Sequence, residues 1–149
     1  MRVVFDTNVF ISAFVIPGSQ GERAFLLARR GHCELATSIP ILTETANKLR
    51  TKFGQVDDEI TTALKLISRA ATIIAPSIRL RVLADDPDNR ILECAVAFRA
   101  DVIVTGDLHL LALKEHAGIA VVRLADFLRM FPQVGNESSG ATVRARGSG

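Results

Sequence analysis

The chain has no tryptophan and no tyrosine, and only two cysteines among its 149 residues. Without Trp or Tyr, a stacking platform of the single-strand-binding type is not expected. Cys33 and Cys94 make neither a disulfide framework nor a zinc site. Each sits in an apolar stretch, which predicts two buried thiols and fits a reducing cytoplasm. No apolar run approaches the roughly 20 residues of a membrane span. Asp6 and Asn8 interrupt the first apolar segment at once, so a signal peptide is not expected. Glycine and proline, at 10 and 5, are too few for a collagen-like or low-complexity chain. A net charge of +2 permits a nucleic-acid partner without arguing for one.

What is present is an ordinary globular composition, 48% hydrophobic and 23% charged, at the commonest size for one domain. Short β-branched runs alternate with helical patterns. Strands are expected at Val3-Val4-Phe5, Glu34-Leu35-Ala36, Thr72-Ile73-Ile74, Val102-Ile103-Val104 and Ile119 to Val122. Helices are expected over Gly21–Arg30, from Ile39-Pro40 to about Lys52, from Asp57-Asp58 onward, from Asp85-Asp86-Pro87-Asp88 onward, over Leu108–Leu113 and over Ala125–Met130. The strands are continuously apolar, so both sheet faces are covered. That pattern predicts a parallel α/β sheet with helices on both sides. The domain is expected to span 1–132. Residues 133–149, rich in Gly and Ser with Arg144 and Arg146, read as a disordered tail.

Sites in an open parallel sheet form beyond the carboxyl ends of the strands. Two strands end in carboxylates there: the first delivers Asp6, the fourth Asp107. In a right-handed β-α-β unit a helix N-terminus lies at the same rim, which brings Asp88. With Pro87 at the first helical position, Asp86 is expected as the N-cap. Capping alone explains one aspartate, not three among Asp85, Asp86 and Asp88. Glu44 has a plainer reading as the partner of Lys48 four residues on. Carboxylates meeting at one rim repel and raise one another's pKa values, and a divalent cation removes the repulsion. All-oxygen ligands favour Mg²⁺ or Mn²⁺ over zinc, and such a site suits phosphodiester hydrolysis.

Three segments in order, Asp6-Thr7-Asn8-Val9, Asp88-Asn89-Arg90-Ile91-Leu92-Glu93-Cys94-Ala95 and Thr105-Gly106-Asp107-Leu108, resemble the motifs of PIN-domain proteins. More narrowly, they resemble the VapC-type toxins of toxin–antitoxin systems. The resemblance covers about residues 1–132. It implies a three-layer α/β/α fold with a five-stranded parallel sheet in the order 3-2-1-4-5. It also implies a Mg²⁺/Mn²⁺-dependent ribonuclease with an RNA substrate, a cognate antitoxin and a homodimer, in the cytoplasm. The family's acidic quartet falls on Asp6, Glu44, Asp88 and Asp107 as catalytic and metal-binding residues, and Asn8 and Thr105 fall on positions that orient carboxylates or water. His109 is a departure, since many members carry a further acidic residue there.

Two other phosphate chemistries fit less well. A dehalogenase-like phosphatase needs a second aspartate where Asn8 stands. A receiver-type phosphoacceptor wants an aspartate after a middle strand and a lysine after a late one, but those strands end at Ala75-Pro76 and Arg123. A catalytically silent PIN-like module that only binds RNA or protein is the alternative in a different class. Arg23, Arg29, Arg30, Lys48, Arg50, Lys52, Arg79, Arg81, Arg90 and Arg99 are candidate phosphate contacts at the acidic rim. Phe10, Phe14, Val15 and Ile16 are candidates for a dimer face or for core packing.

Overall fold

Val3, Val4 and Phe5 have no exposed surface, as expected for a strand covered on both sides. In the computed structural model, which describes residues 1–132, they belong to β1 (Arg2–Phe5) at the centre of one sheet. The expected tail over 133–149, with Arg144 and Arg146, lies outside the described residues.

The other strands are β2 (Glu34–Ser38), β3 (Ala71–Ile74), β4 (Val102–Val104), β5 (Glu115–His116) and β6 (Ile119–Val122). Their order is β3-β2-β1-β4-β6-β5. The first five in that row pair in parallel and reproduce the expected 3-2-1-4-5 order, with β6 as the expected fifth strand. β5 is an addition, antiparallel to β6 at the sheet edge. Ala117 and Gly118 between them both have positive φ, 53° and 79°, as a two-residue type I′ hairpin requires. Alanine seldom occupies that first position, so the hairpin carried no turn signature in the sequence.

The helices are α1 (Thr7–Val15), α2 (Gln20–Arg29), α3 (Ile39–Thr51), α4 (Asp57–Ala70), α5 (Asp86–Phe98), α6 (Leu108–Leu113) and α7 (Leu124–Arg129), giving a three-layer α/β/α fold. Helix α1 was not expected. Thr7, Val9, Phe10, Ile11, Phe14 and Val15 are β-branched or aromatic, with low helix propensity. Burial of Val9, Phe10, Ile11 and Ala13 outweighs that preference. Helix α2 packs closely on α1 through Gly21. A Cβ there would stand 2.8 Å from the Val9 carbonyl oxygen, a backbone atom with no room to yield.

The core includes a run of phenylalanines. Phe5 meets Phe10 and Phe127 with ring centroids 5.6 and 5.8 Å apart, and Phe10 meets Phe25 at 6.4 Å. Burying each such ring contributes about 1.5–3 kcal/mol, and Phe127 thereby ties α7 beneath β1. Phe10 is therefore core and contributes nothing to a surface, whereas Ile16 is exposed. Cys33 and Cys94 are buried free thiols. Burial pushes their pKa values up to about 11 and 12, so neither is a reactive thiolate. No helix among the described residues is long and apolar enough to cross a membrane.

Candidate active site

The register of β1 against β4 builds the rim. Phe5 pairs with Val104, so the next residues, Asp6 and Thr105, leave the sheet side by side. Thr105 Oγ1 donates to Asp6 Oδ2 at 2.7 Å. The same oxygen accepts the Asp107 backbone N–H at 2.9 Å. Asp6 Oδ1 accepts the Thr7 N–H at 2.6 Å, capping α1. Asp107 Oδ1 caps α6 by accepting from the N–H groups of His109 and Leu110 at 2.8 and 3.0 Å. One threonine hydroxyl thus links the ends of both strands. Asn8 lies exposed on the first turn of α1, and its side chain takes no part in this chain of bonds.

Asp88 reaches the same rim from the first turn of α5. Its carboxylate is buried and its Oδ2 has no hydrogen-bond partner. Asp85, not Asp86, stands at the N-cap, and its side chain makes no capping bond. The expected Asp86 cap is thus corrected by one residue, the usual uncertainty of a helix boundary. Asp86 instead accepts from Asn89 Nδ2 at 3.3 Å. Asp88, Asp107 and His109 each present a ligand atom, all within 4.8 Å of one another.

Glu44 and Asp6 are not members of that tight group. Glu44 is half-buried and pairs with Lys48 at 3.5 Å. It also lines a cavity of about 180 Å³ with Thr7, Asp86 and Arg90, so it borders the rim through the neighbour of Asp6. Lys48 lies close enough to act on Asp6 as well. Burial pushes the Asp6 carboxyl above its ordinary value, with Asp107 adding to the effect. The hydrogen bonds from Thr105 and Thr7 and the charge of Lys48 oppose it.

Sequence reasoning missed the clamp behind the site. Asn89 is buried and accepts from the N–H groups of Val82 and Leu83, at 3.1 and 2.8 Å, while donating to the Leu83 carbonyl. Glu93, also buried, accepts from the Leu80 N–H at 2.7 Å and from Arg90 Nη2 at 2.8 Å. Together they pin the segment that leads into Asp85 and Asp86 onto α5. The sequence carried no clear signal for it, because Asn89 and Glu93 lie on the face of α5 opposite the stripe of Ile91, Ala95 and Phe98, where polar residues read as solvated. Arg90, offered above as a phosphate contact, is engaged in this buried ion pair. Arg29, Arg30 and Arg99 sit at the C-terminal ends of α2 and α5. Those ends lead into strand N-termini, at the edge opposite the acidic rim, which removes them as contacts there.

Without a cation, the rim is electrostatically strained. The Asp88 carboxyl is pushed up from 3.8 to about 6, by burial first and then by the charges of Asp107, Asp6 and Asp85. The folded protein then holds this proton more tightly than the unfolded chain, so stability falls as pH rises from about 4 to about 6 and stays lower above. Asp88→Asn removes the effect. In EDTA it is expected to gain about 1–2 kcal/mol on the parent at pH 7 relative to pH 4, measured by denaturant unfolding. An equal difference at both pH values would show that Asp88 is not strained.

A family model described as PIN domain matches residues 2–109. The chain is 32% identical over 120 residues to the uncharacterized protein MJ1680 of Methanocaldococcus jannaschii, covering 77% of this chain and 76% of that protein. Its fold is similar to a chain in the crystal structure of VapBC2 from Rickettsia felis bound to a DNA fragment from their promoter. That match has a TM-score of 0.62 at 16% identity and covers 83% of this chain and 98% of the other.

Proposed function

We propose that this chain, which belongs to the PIN-domain family, is a divalent-metal-dependent endoribonuclease and the toxin of a toxin–antitoxin pair. The observation that carries the nuclease reading is the buried Asp88 carboxylate, whose Oδ2 has no hydrogen-bond partner and which brings an oxygen within 4.8 Å of ligand atoms of Asp107 and His109. A buried polar atom with no partner costs roughly 1–3 kcal/mol, and a cation among these groups offsets that cost. The donor set is mostly carboxylate oxygen, which suits Mg²⁺ or Mn²⁺. A bound divalent cation supplies activated water and charge neutralisation at a phosphodiester.

Asp6, Asp88 and Asp107 would hold it, with Glu44 at the margin of the rim. Thr105 fixes the carboxylate planes of Asp6 and the backbone of Asp107 through a single hydroxyl. Lys48 pairs with Glu44 and acts on the charge of Asp6, and in this reading it is the cation that meets the substrate phosphate. RNA is the substrate class in this reading. A cognate antitoxin and a second copy of the chain are the partners, the former supported by the likeness in fold to a chain of a VapBC2 complex. A silent binding module would leave the Asp88 oxygen without a purpose.

The test is incubation of the purified protein with single-stranded RNA in Mg²⁺, in Mn²⁺ and in EDTA. Cleavage is expected in either metal and not in EDTA. Undiminished cleavage in EDTA would overturn the metal-dependent assignment, and RNA binding with no cleavage in any buffer would establish the silent module instead.

A further inference from the structure

Asp107 spends one carboxylate oxygen on capping α6: Oδ1 takes the N–H groups of both His109 and Leu110. The same cap turns the start of α6 so that the His109 imidazole stands beside it, with Nδ1 3.9 Å from Asp107 Oδ1. His109 is 81% exposed at its side chain, so packing does not explain its position. On the other side, Asp88 presents a buried oxygen with no partner. Ligand atoms of all three lie within 4.8 Å. Two atoms each about 2.1 Å from one ion are at most about 4.2 Å apart. A few tenths of an ångström of movement closes that gap, and an exposed imidazole moves freely.

We propose that His109 is a nitrogen ligand of the cation held by Asp88 and Asp107, and that it biases this site toward Mn²⁺ over Mg²⁺. This rests on the metal reading above, and it goes beyond that reading in the identity of a ligand and in the selectivity that follows. Mg²⁺ is a hard ion that prefers oxygen and keeps its water, whereas imidazole suits first-row transition ions. An imidazole added to the carboxylates of this rim therefore strengthens Mn²⁺ binding and does little for Mg²⁺. A carboxylate at the same position would favour the harder ion.

The experiment measures binding and spectroscopy in the full chain without RNA. Mn²⁺ and Mg²⁺ affinities are taken by calorimetry for the parent, His109→Ala and His109→Asp. Electron spin-echo spectra of the Mn²⁺ complexes report any directly bound nitrogen. The parent is expected to show ¹⁴N modulation from one imidazole, and His109→Ala is expected to lose it. The Mn²⁺ affinity should drop about tenfold in His109→Ala with Mg²⁺ affinity changed less than twofold. His109→Asp should raise Mg²⁺ affinity relative to Mn²⁺. Mn²⁺ bound in the parent with no ¹⁴N modulation, or a Mn²⁺-to-Mg²⁺ affinity ratio unchanged by His109→Ala, would overturn the proposal while leaving the metal-dependent nuclease intact. No Mn²⁺ or Mg²⁺ binding at all would overturn both, and the RNA assay in EDTA separates that case from a failure of the nuclease reading alone.

Discussion

Asp6→Asn is expected to reduce metal-dependent cleavage of single-stranded RNA at least about 1,000-fold, roughly 4 kcal/mol of transition-state stabilisation, while the fold persists. Asp6 is buried, and both its oxygens are engaged, one by the Thr7 N–H and one by the Thr105 hydroxyl. An asparagine can keep its oxygen toward Thr7. Its amide nitrogen then faces Thr105, whose hydroxyl must turn away and accept instead. Shape survives with that bond reversed and no longer assisted by a charge. Burial already disfavours the Asp6 charge, so losing that charge compensates the weaker bond, and the melting temperature should move by no more than a few degrees. What disappears is a negative oxygen for the cation. Steady-state cleavage of a labelled RNA in Mn²⁺, with thermal melts alongside, measures both effects. Wild-type turnover in Asp6→Asn would exclude Asp6 from the chemistry, and a collapse in melting temperature would give it a structural role instead.

Glu44 and Lys48 provide the second large effect because two accounts of one pair diverge. The ion pair at 3.5 Å is partly exposed, and such pairs contribute about 0.3–0.5 kcal/mol. If that is all Glu44 does, Glu44→Gln and Lys48→Met each cost a few tenths of a kcal/mol and leave catalysis unchanged. The shared cavity with Thr7 supports the other account, in which Glu44 acts at the rim. Glu44→Gln is then expected to cut turnover at least about 100-fold, roughly 2.7 kcal/mol, with melting temperature nearly constant. Lys48→Met should instead weaken RNA binding a few-fold, as the loss of one cation facing the phosphates would. A Glu44→Gln enzyme with parent turnover reduces the acidic set to Asp6, Asp88 and Asp107.

Thr105 shows where sequence reading stopped. The hydroxyl before Asp107 could be picked out as one that orients a neighbouring group, but not that it bonds Asp6, 99 positions away, and the backbone of Asp107 with one oxygen. That follows from the β1–β4 register, which no local pattern encodes. Arg90 shows a second role that sequence reading did not find. As a basic residue near an acidic motif it reads as a phosphate contact, and the structure pairs it with the buried Glu93 three residues on. Only the packing of the 80–83 segment over α5 makes that pair necessary, since the Leu80 N–H needs the same carboxylate.

The sequence pattern by itself determined a parallel α/β sheet and the arrival of Asp6 and Asp107 at strand ends, because continuous β-branched runs separated by helices permit few other arrangements, while the order of the five principal strands came with the resemblance to PIN domains. It also determined Asp88 in the first turn of α5, through Pro87. Tertiary structure alone decided the rest. Helix α1 forms from poor helix formers because its apolar residues are buried, and β5 forms through an Ala-Gly turn that carries no hairpin signature. Asp88 brings a carboxylate oxygen within 4.8 Å of ligand atoms of Asp107 and His109 and keeps its Oδ2 without a hydrogen-bond partner, while Glu44 lines the neighbouring cavity. Those outcomes depend on distances between residues far apart in the chain, and burial and register fix such distances only once the whole sheet has closed.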